Sequence, residues 1–168
     1  SHQNLRLQKS NAMSFHRLLY HIVFSTKYRK PHITDDIERD IYNILYHQLL
    51  KYNCFVHRLG GHTDHVHILV EIPPTVALSE LIKITKQESS KEIRQRALRL
   101  DWAGWEEGYG AFTYAKSDLE TIKAYICNQK QHHSTISFLE EYRDWLIQQG
   151  IDPNHPYFPH ESTATTNN

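Results

Sequence analysis

The sequence predicts an α+β fold, a ferredoxin-like split-βαβ antiparallel sheet covered by helices, with extra helices at the C-terminus. Short β-favouring runs alternate with longer runs of helical periodicity, in the order βαββαβαα. Two of the strands are separated by little more than a Gly-Gly pair, which indicates a hairpin. The 168 residues, 39% of them hydrophobic, suffice for one core and are few for two. One compact α+β domain follows.

The first half of the chain supplies a strand, a helix and a hairpin. Thr34 is placed to cap the helix, whose apolar residues recur at helical spacing. Gly60-Gly61 forms the predicted turn of the hairpin, and Pro73-Pro74 stops its second strand. The expected bounds are 20–25 for the first strand, 34–52 for the helix, and 54–59 and 66–72 for the hairpin strands.

The second half supplies a long helix, a strand and two further helices. The long helix is predicted over 78–99, with Ala97 among its inward residues, and the strand over 111–115. Ser117 and Glu120 have the spacing of a capping box that opens the helix carrying Tyr125. A second capping box, Ser137 with Glu140, opens the final helix, which Gly150 stops.

Composition restricts the environment and the partners. The 19 basic residues balance the 19 acidic ones, so bulk charge gives no support to nucleic-acid binding and any basic surface must be local. No apolar run approaches the roughly 18 residues of a membrane span, which predicts a cytoplasmic protein without a membrane partner. Cys54 and Cys127 form no metal or redox motif, and both are expected to be buried, reduced thiols.

The ends of the chain differ in composition from the middle. Residues 1–12 are polar and patternless before the single methionine, as in a tag or cloning remnant. Residues 153–168 are rich in Pro, Thr and Asn and are expected to lie loosely on the surface. The working domain is therefore predicted to span residues 13–152.

Two histidines form the first candidate site. His65 and His67 lie one strand step apart and therefore share a face, where they could bind one divalent ion, while Val66 faces the helix layer. Asp64 could orient one of the rings. With 13 histidines in 168 residues, chance predicts about one such pair, and ordinary sheet histidines remain an equal alternative for the motif alone.

A tyrosine and an amide form the second candidate site. Tyr125, Gln129 and His132 fall on one helical stripe. A metal, an amide oxygen and a phenol together suit phosphodiester transfer, in which the phenol attacks phosphorus. The alternative is a tyrosine that packs its ring on the core, and His132-His133 could instead join His57 or His62 in a zinc site.

Several segments, taken together, resemble the single-tyrosine HUH transposases of small bacterial insertion sequences and their REP-associated relatives. The resemblance covers residues 15–151, and the segments that carry it are YHIVFSTKYRKP, GGHTDHVHILVEIPP, SSKEIR, WEEGYGAFTY and AYICNQKQHHSTISFLEEY. It implies that His65 and His67 are metal ligands, that Gln129 is the third ligand and that Tyr125 is the nucleophile. The acidic pair Glu106-Glu107 departs from the pattern of these relatives.

The resemblance also implies an activity and partners. Such enzymes cleave and rejoin single-stranded DNA beside hairpins, with Mg²⁺ or Mn²⁺, through a 5′-phosphotyrosine, and act at the bacterial nucleoid. They work as homodimers, often with active sites assembled from two chains. The basic and Ser-Ser-Lys segments contain the DNA-contact candidates Lys27, Arg29, Ser89, Ser90 and Arg94.

Two other readings of the same residues stay open. One is a non-catalytic nucleic-acid-binding module, a decayed transposase that binds without forming a covalent adduct. The other is a metal hydrolase in which water is the nucleophile, Tyr125 is a spectator and Asp64 or Glu71 is the general base.

Overall fold

The computed structural model describes residues 14–154. The expected tag at residues 1–12, and most of the expected C-terminal tail, lie outside this range. The secondary-structure elements, in chain order, are β1 (Leu19–Ser25), α1 (Glu38–Lys51), β2 (Phe55–Gly61), β3 (His65–Glu71), α2 (Leu78–Gln95), β4 (Gly110–Thr113), α3 (Leu119–Cys127), α4 (Gln129–His132) and α5 (Phe138–Gln148). Short 3-10 turns at Lys27–Arg29 and Lys116–Asp118 complete the order.

The four strands form one sheet in the order β2-β3-β1-β4, and every neighbouring pair is antiparallel. The central pair sets the register, with Ile22 opposite Ile68 and Ser25 opposite His65. The antiparallel sheet with its helices confirms the predicted fold class, including the helices at the C-terminus. The end of β1 therefore lies beside the beginning of β3, where the two candidate histidines are found.

The two faces of the sheet carry different cores. Val66, Ile68 and Val70 belong to the larger core, which includes apolar residues of α1 and α2. Leu69 belongs to the smaller core on the opposite face, with Ile126 of α3. The alternation of side chains along β3 therefore places His65 and His67 on the face covered by α3 and α5.

The predicted hairpin turn at Gly60-Gly61 is wrong. Both glycines belong to β2, where they pair with His67 and Val66, and the turn follows at residues 62–64. The physical reason lies in helix packing. A Cβ atom on Gly60 would lie 2.7 Å from Cγ2 and 2.8 Å from the carbonyl oxygen of Ile126. Gly60 thus allows α3 to approach β2 closely, rather than bending the chain.

Two predicted helix bounds are also corrected. The helix expected from Thr34 begins at Glu38, because the Thr34 carbonyl first accepts from the N–H groups of Ile37 and Glu38 in a turn. The long helix ends at Gln95 rather than near Arg99. Ala97, predicted to face inward, lies beyond the end of the helix and is exposed. Its φ of 50° is left-handed and not helical, so the apolar spacing predicted a helix longer than the one that forms.

One predicted capping box is present and the other is absent. The Glu140 N–H donates to Ser137 Oγ at 3.3 Å and the Ser137 N–H donates to Glu140 Oε2 at 2.9 Å, as predicted for the last helix. Ser117 does not cap α3, because a 3-10 turn precedes the helix and the Asp118 carboxylate accepts from the Ala115 N–H.

Cys127 at the end of α3 is exposed, contrary to the expectation that both thiols are buried.

Candidate active site

The paired histidines of β3 are fully buried and each is oriented by a second side chain. Their ring centroids are 5.0 Å apart. Nδ1 of His65 lies 2.8 Å from Oδ1 of Asp64, which confirms the orienting role predicted for this carboxylate. Nδ1 of His67 lies 2.9 Å from Nε2 of His21, a buried residue of β1. Because each ring is held through its Nδ1 atom, the Nε2 atoms are the ones that could bind a shared ligand.

A carboxylate from α5 meets these Nε2 atoms. Oε1 of Glu141 lies 3.1 Å from Nε2 of His67 and 4.0 Å from Nε2 of His65. One ligand atom from each of the three residues lies within 4.8 Å of the others. Within residues 14–154, neither Glu141 oxygen nor His67 Nε2 makes a hydrogen bond of ordinary geometry. Buried polar atoms that converge without hydrogen bonds fit a divalent metal ion.

The amide of Gln129 faces the same space. Its Oε1 atom lies 3.1 Å from Nε2 of His65 and 2.9 Å from Nε2 of His133. The neighbouring His132 and His133 each lie 2.9 Å from Oε2 of Glu141. Two oxygen donors therefore lie near the paired histidines. One is the amide of Gln129, predicted from the sequence as the third ligand, and the other is the carboxylate of Glu141, which the sequence did not predict.

The charge states of these groups follow from burial and from each other. Burial, together with the charge of His65, lowers the pKa of His67 to about 4, although Glu141 opposes the shift. The imidazole is then neutral near pH 7, which is the form that binds metals. Burial alone would raise the pKa of Glu141, but the close approach of the His133 and His67 rings lowers it below its usual value. The carboxylate is therefore ionised.

Tyr125 lies beside this cluster in the same chain. Its ring centroid is 5.7 Å from that of His67 and 5.8 Å from that of Trp145. Burial raises the pKa of the Tyr125 phenol, and the negative charge of Glu141 raises it further. The phenol is thus protonated near neutral pH. Gly60 is what permits α3 to carry the tyrosine so close to the sheet.

The predicted basic segment forms a tight, partly exposed turn after β1. Tyr28 and Arg29 have φ values of 57° and 52°, a left-handed conformation that is costly for residues other than glycine. The Lys27 N–H donates to the Gly104 carbonyl at 2.8 Å, and the Tyr28 N–H donates to Glu106 Oε2 at 3.0 Å. These bonds hold the turn and leave the Tyr28 side chain 60% exposed.

The three DNA-contact candidates of α2 have different environments. Ser89 is fully buried, and its hydroxyl accepts from Trp105 Nε1 at 2.9 Å. Ser90 is also buried, and its hydroxyl accepts from Trp102 Nε1 at 3.2 Å. Arg94 is exposed in the last turn of the helix. The hydroxyls of the two serines thus bond to the tryptophan-rich loop.

Of the two histidines in the zinc alternative, only His62 lies beside the His132-His133 pair, and the cluster of potential ligands found within residues 14–154 includes neither His57 nor His62. His57 pairs with Glu71 at 2.7 Å, at the far end of β3 from His65. His62 stacks on His133 with 5.5 Å between ring centroids. Sequence reasoning missed Glu141 and His21, because neither belongs to a recognisable spacing pattern. Only the packing of α5 and the pairing of β1 with β3 bring them to the site.

The split-βαβ sheet carries two histidines and a glutamate that could hold a metal ion, beside a tyrosine, an arrangement that fits an enzyme of the metal-dependent class. The chain belongs to the family described as transposase IS200-like, whose model matches residues 14–129.

Individual relatives agree with this membership. The chain is 29% identical over 127 residues to the transposase of insertion sequence element IS200 from Salmonella typhimurium, covering 73% of this chain and 83% of the relative. It is 24% identical over 119 residues to the ISDra2 transposase TnpA from Deinococcus radiodurans, covering 68% and 85%.

Solved structures support the fold. A Deinococcus radiodurans protein described as a transposase superposes with a TM-score of 0.57 at 23% identity, covering 72% of this chain and 97% of that one. A REP-associated tyrosine transposase bound to a REP hairpin superposes with a TM-score of 0.56 at 10% identity, covering 76% and 75%. Within residues 14–154, none of the helices combines the length and the apolar character that crossing a membrane requires.

Proposed function

We propose that this transposase cleaves and rejoins single-stranded DNA beside hairpins, with Tyr125 as the nucleophile and a 5′-phosphotyrosine as the intermediate. The observation that carries the proposal is the position of the Tyr125 ring, 5.7 Å from the ring of His67 and next to the buried His65, His67 and Glu141 cluster. A nucleophile beside a metal site matches the requirements of phosphoryl transfer.

His65 and His67 would hold a divalent cation, with Glu141 and Gln129 as the candidate oxygen ligands. When bound, the cation would offset negative charge on the phosphate and favour the ionised phenol. Mg²⁺ and Mn²⁺ both accept oxygen ligands, and two imidazoles favour Mn²⁺ of the pair. Asp64 and His21 would orient the two ligand rings through their Nδ1 atoms.

The proposed transfer is balanced in atoms and protons. A bond forms between the Tyr125 phenolic oxygen and phosphorus, and the bond from phosphorus to the 3′ oxygen breaks. The phenol loses one proton and the departing 3′ oxygen takes one up, so the departing strand ends in a 3′-hydroxyl. Attack of a 3′-hydroxyl on the phosphotyrosine reverses these steps and joins DNA, so neither water nor a nucleotide is consumed.

The surface beside the site suits a DNA backbone. The turn with Lys27 and Arg29 begins next to Asp64, because the Thr26 N–H donates to the Asp64 carbonyl at 2.9 Å. Arg94 lies near the same turn. Its Nη2 atom is 3.6 Å from the point that a Cβ atom added to Gly104 would occupy, and the Gly104 carbonyl accepts the Lys27 N–H. We propose that these three cations contact phosphates and that Tyr28 stacks on a base. The hairpin bound by the REP-associated relative supports a hairpin as the ligand.

The test is the formation of a covalent adduct. The protein is incubated with Mg²⁺ or Mn²⁺ and a pool of hairpin-bearing single strands, and adducts that survive a denaturing gel are isolated and sequenced. We expect adducts with the unaltered protein and none with Tyr125→Phe or with EDTA. Binding without adduct in the unaltered protein would indicate the non-catalytic module. Cleavage that persists in Tyr125→Phe would indicate a water nucleophile.

We further propose a homodimer, and its assembly can be tested by complementation. The tyrosine of each chain packs against the histidines of the same chain, which supports an active site within one chain. Tyr125→Phe and His67→Ala chains are mixed and assayed for adducts. An active site within one chain predicts no recovery, whereas a site assembled from two chains predicts recovery of part of the activity.

A further inference from the structure

A cavity of about 290 Å³ lies between α3 and α5, next to the proposed nucleophile. Tyr125 forms part of its wall, and exposed residues of α5 form part of its rim. Glu141 of the metal cluster also lines the cavity, which therefore adjoins the proposed metal position. The cavity is at the small end of the range of ligand cavities and suits one planar group rather than a large ligand.

Aromatic side chains dominate the inner part of the cavity. Tyr114, Trp145 and His21 all line it, and the ring centroids of His21 and Trp145 are 4.3 Å apart. Aromatic walls favour a flat, polarisable occupant, because nucleobases gain stability by stacking on such rings. The inner wall therefore fits a base better than it fits a sugar or a phosphate.

Polar groups are placed where the edge of a base could meet them. Asp144 and Gln148 lie one helical turn apart on α5, line the cavity and are exposed. A carboxylate only accepts hydrogen bonds, so it favours an occupant with N–H donors. His21, which is fully buried, also lines the cavity, and its Nδ1 atom has no hydrogen-bond partner among the described residues.

We propose that this cavity receives one unpaired nucleobase from a nucleotide adjoining the cleaved phosphate, and that Asp144 selects a base with an exocyclic amino group. The inference rests on the proposed function, because Tyr125 can attack only a phosphate whose neighbouring nucleotides lie beside this cavity. Enzymes that act on a strand commonly hold an extruded base by stacking and by hydrogen bonds to its edge. Adenine, guanine and cytosine carry the amino group, and thymine does not.

The test uses a strand isolated in the adduct selection, with each nucleotide next to the cleaved bond replaced in turn by an abasic site. Binding to the unaltered protein is measured by fluorescence anisotropy in EDTA, so that no cleavage occurs. We expect one position at which the abasic site weakens binding roughly fivefold to hundredfold, the range of single base-stacking contributions. Thymine at that position should bind less well than the amino-bearing base.

Variants connect this position to the cavity. Asp144→Asn and Gln148→Ala should reduce the loss of affinity that the abasic site causes at that position, here called the abasic effect. The affinities for strands with abasic sites at other positions should change no further. Glu120→Gln is the matched control, because it removes one exposed acidic charge from α3 outside the cavity lining. It should retain the full abasic effect.

The outcomes separate the two proposals. If the strand binds and forms adducts but no abasic position alters its affinity, the cavity does not hold a base and the proposed function stands. An abasic effect that survives unchanged in both Asp144→Asn and Gln148→Ala places the base elsewhere and also overturns the inference. If no strand is bound or cleaved at all, the proposed function and the inference fail together.

Discussion

The Nε2 atom of His21 lies 2.9 Å from the Nδ1 atom of His67, and both rings are fully buried. This contact fixes the orientation of His67 so that its Nε2 atom faces Glu141. Three strand residues, His21, His65 and His67, thus share one face of the β1 and β3 pair and form the base of the site.

His21→Leu should weaken Mn²⁺ binding because it removes the partner that orients His67. Loss of such a supporting hydrogen bond lowers metal affinity by about 10- to 100-fold. Isothermal titration calorimetry with Mn²⁺ measures the change. His57→Leu, at the distant pair with Glu71, is the control and should keep the original affinity. Equal affinities for the His21→Leu variant and the unaltered protein would show that His67 needs no orienting partner.

Glu141→Gln should lower Mn²⁺ affinity roughly tenfold or more, because the charge of the ligands sets the affinity for hard cations. Glu140→Gln is a matched control: it makes the same charge change one residue away, and glutamine preserves the capping box with Ser137. The electron paramagnetic resonance of Mn²⁺ reports the bound fraction. If Gln129→Ala abolishes binding while Glu141→Gln leaves it intact, Gln129 is the third ligand, as the family resemblance implies.

Gly60→Ala should destabilise the protein and displace the tyrosine helix. The new Cβ would lie 2.8 Å from the Ile126 carbonyl oxygen, a backbone atom that moves only with α3. Overpacking of this kind costs about 1–3 kcal/mol, measured by urea denaturation. Adduct formation by the folded fraction should also fall. Arg58→Ala, at an exposed position of the same strand, should change neither quantity appreciably, and equal behaviour of the two variants would contradict this packing argument.

Ser89→Ala should lower the free energy of unfolding by roughly 1–3 kcal/mol, because it leaves the buried Trp105 Nε1–H without its acceptor. Ser79→Ala, at an exposed position of α2, is the control for helix propensity. Folded Ser89→Ala protein should bind hairpins with unchanged affinity at fixed salt concentration. A stable Ser89→Ala variant that loses DNA binding would instead support the direct contact expected from the sequence.

Glu106→Ala should weaken hairpin binding about fivefold or more, although it removes a negative charge. The Glu106 carboxylate accepts a hydrogen bond from the Tyr28 N–H. Without this bond the strained left-handed turn relaxes, and returning the turn to the conformation that binds DNA costs of order 1 kcal/mol of binding free energy. Glu107→Ala is the matched control and should bind equally well or more tightly, because only repulsion from phosphate is removed. Anisotropy titrations at two salt concentrations distinguish these effects, and tighter binding by both variants would rule out the anchoring role.

The element order and the central chemical residues follow from the sequence. Hydrophobic periodicity is local, so it predicted the strands, the helices and the shared face of His65 and His67 on β3. The Ser137 capping box was likewise predictable, because its hydrogen bonds join residues three apart. Local patterns failed at Gly60, where glycine was taken for a turn residue and serves a contact with Ile126 of a distant helix.

Tertiary structure alone decided what surrounds these residues. Glu141 looks like an ordinary helical glutamate in the sequence, and only the packing of α5 against the sheet brings its carboxylate to the paired histidines. Ser89 looks like part of a polar DNA-contact segment, and only the fold of the tryptophan loop buries it. The sequence by itself therefore determined the strand pattern, the histidine pair and the tyrosine helix. The third oxygen ligand, the orienting His21 and the cavity beside Tyr125 depend on contacts between elements far apart in the chain, which no local periodicity records.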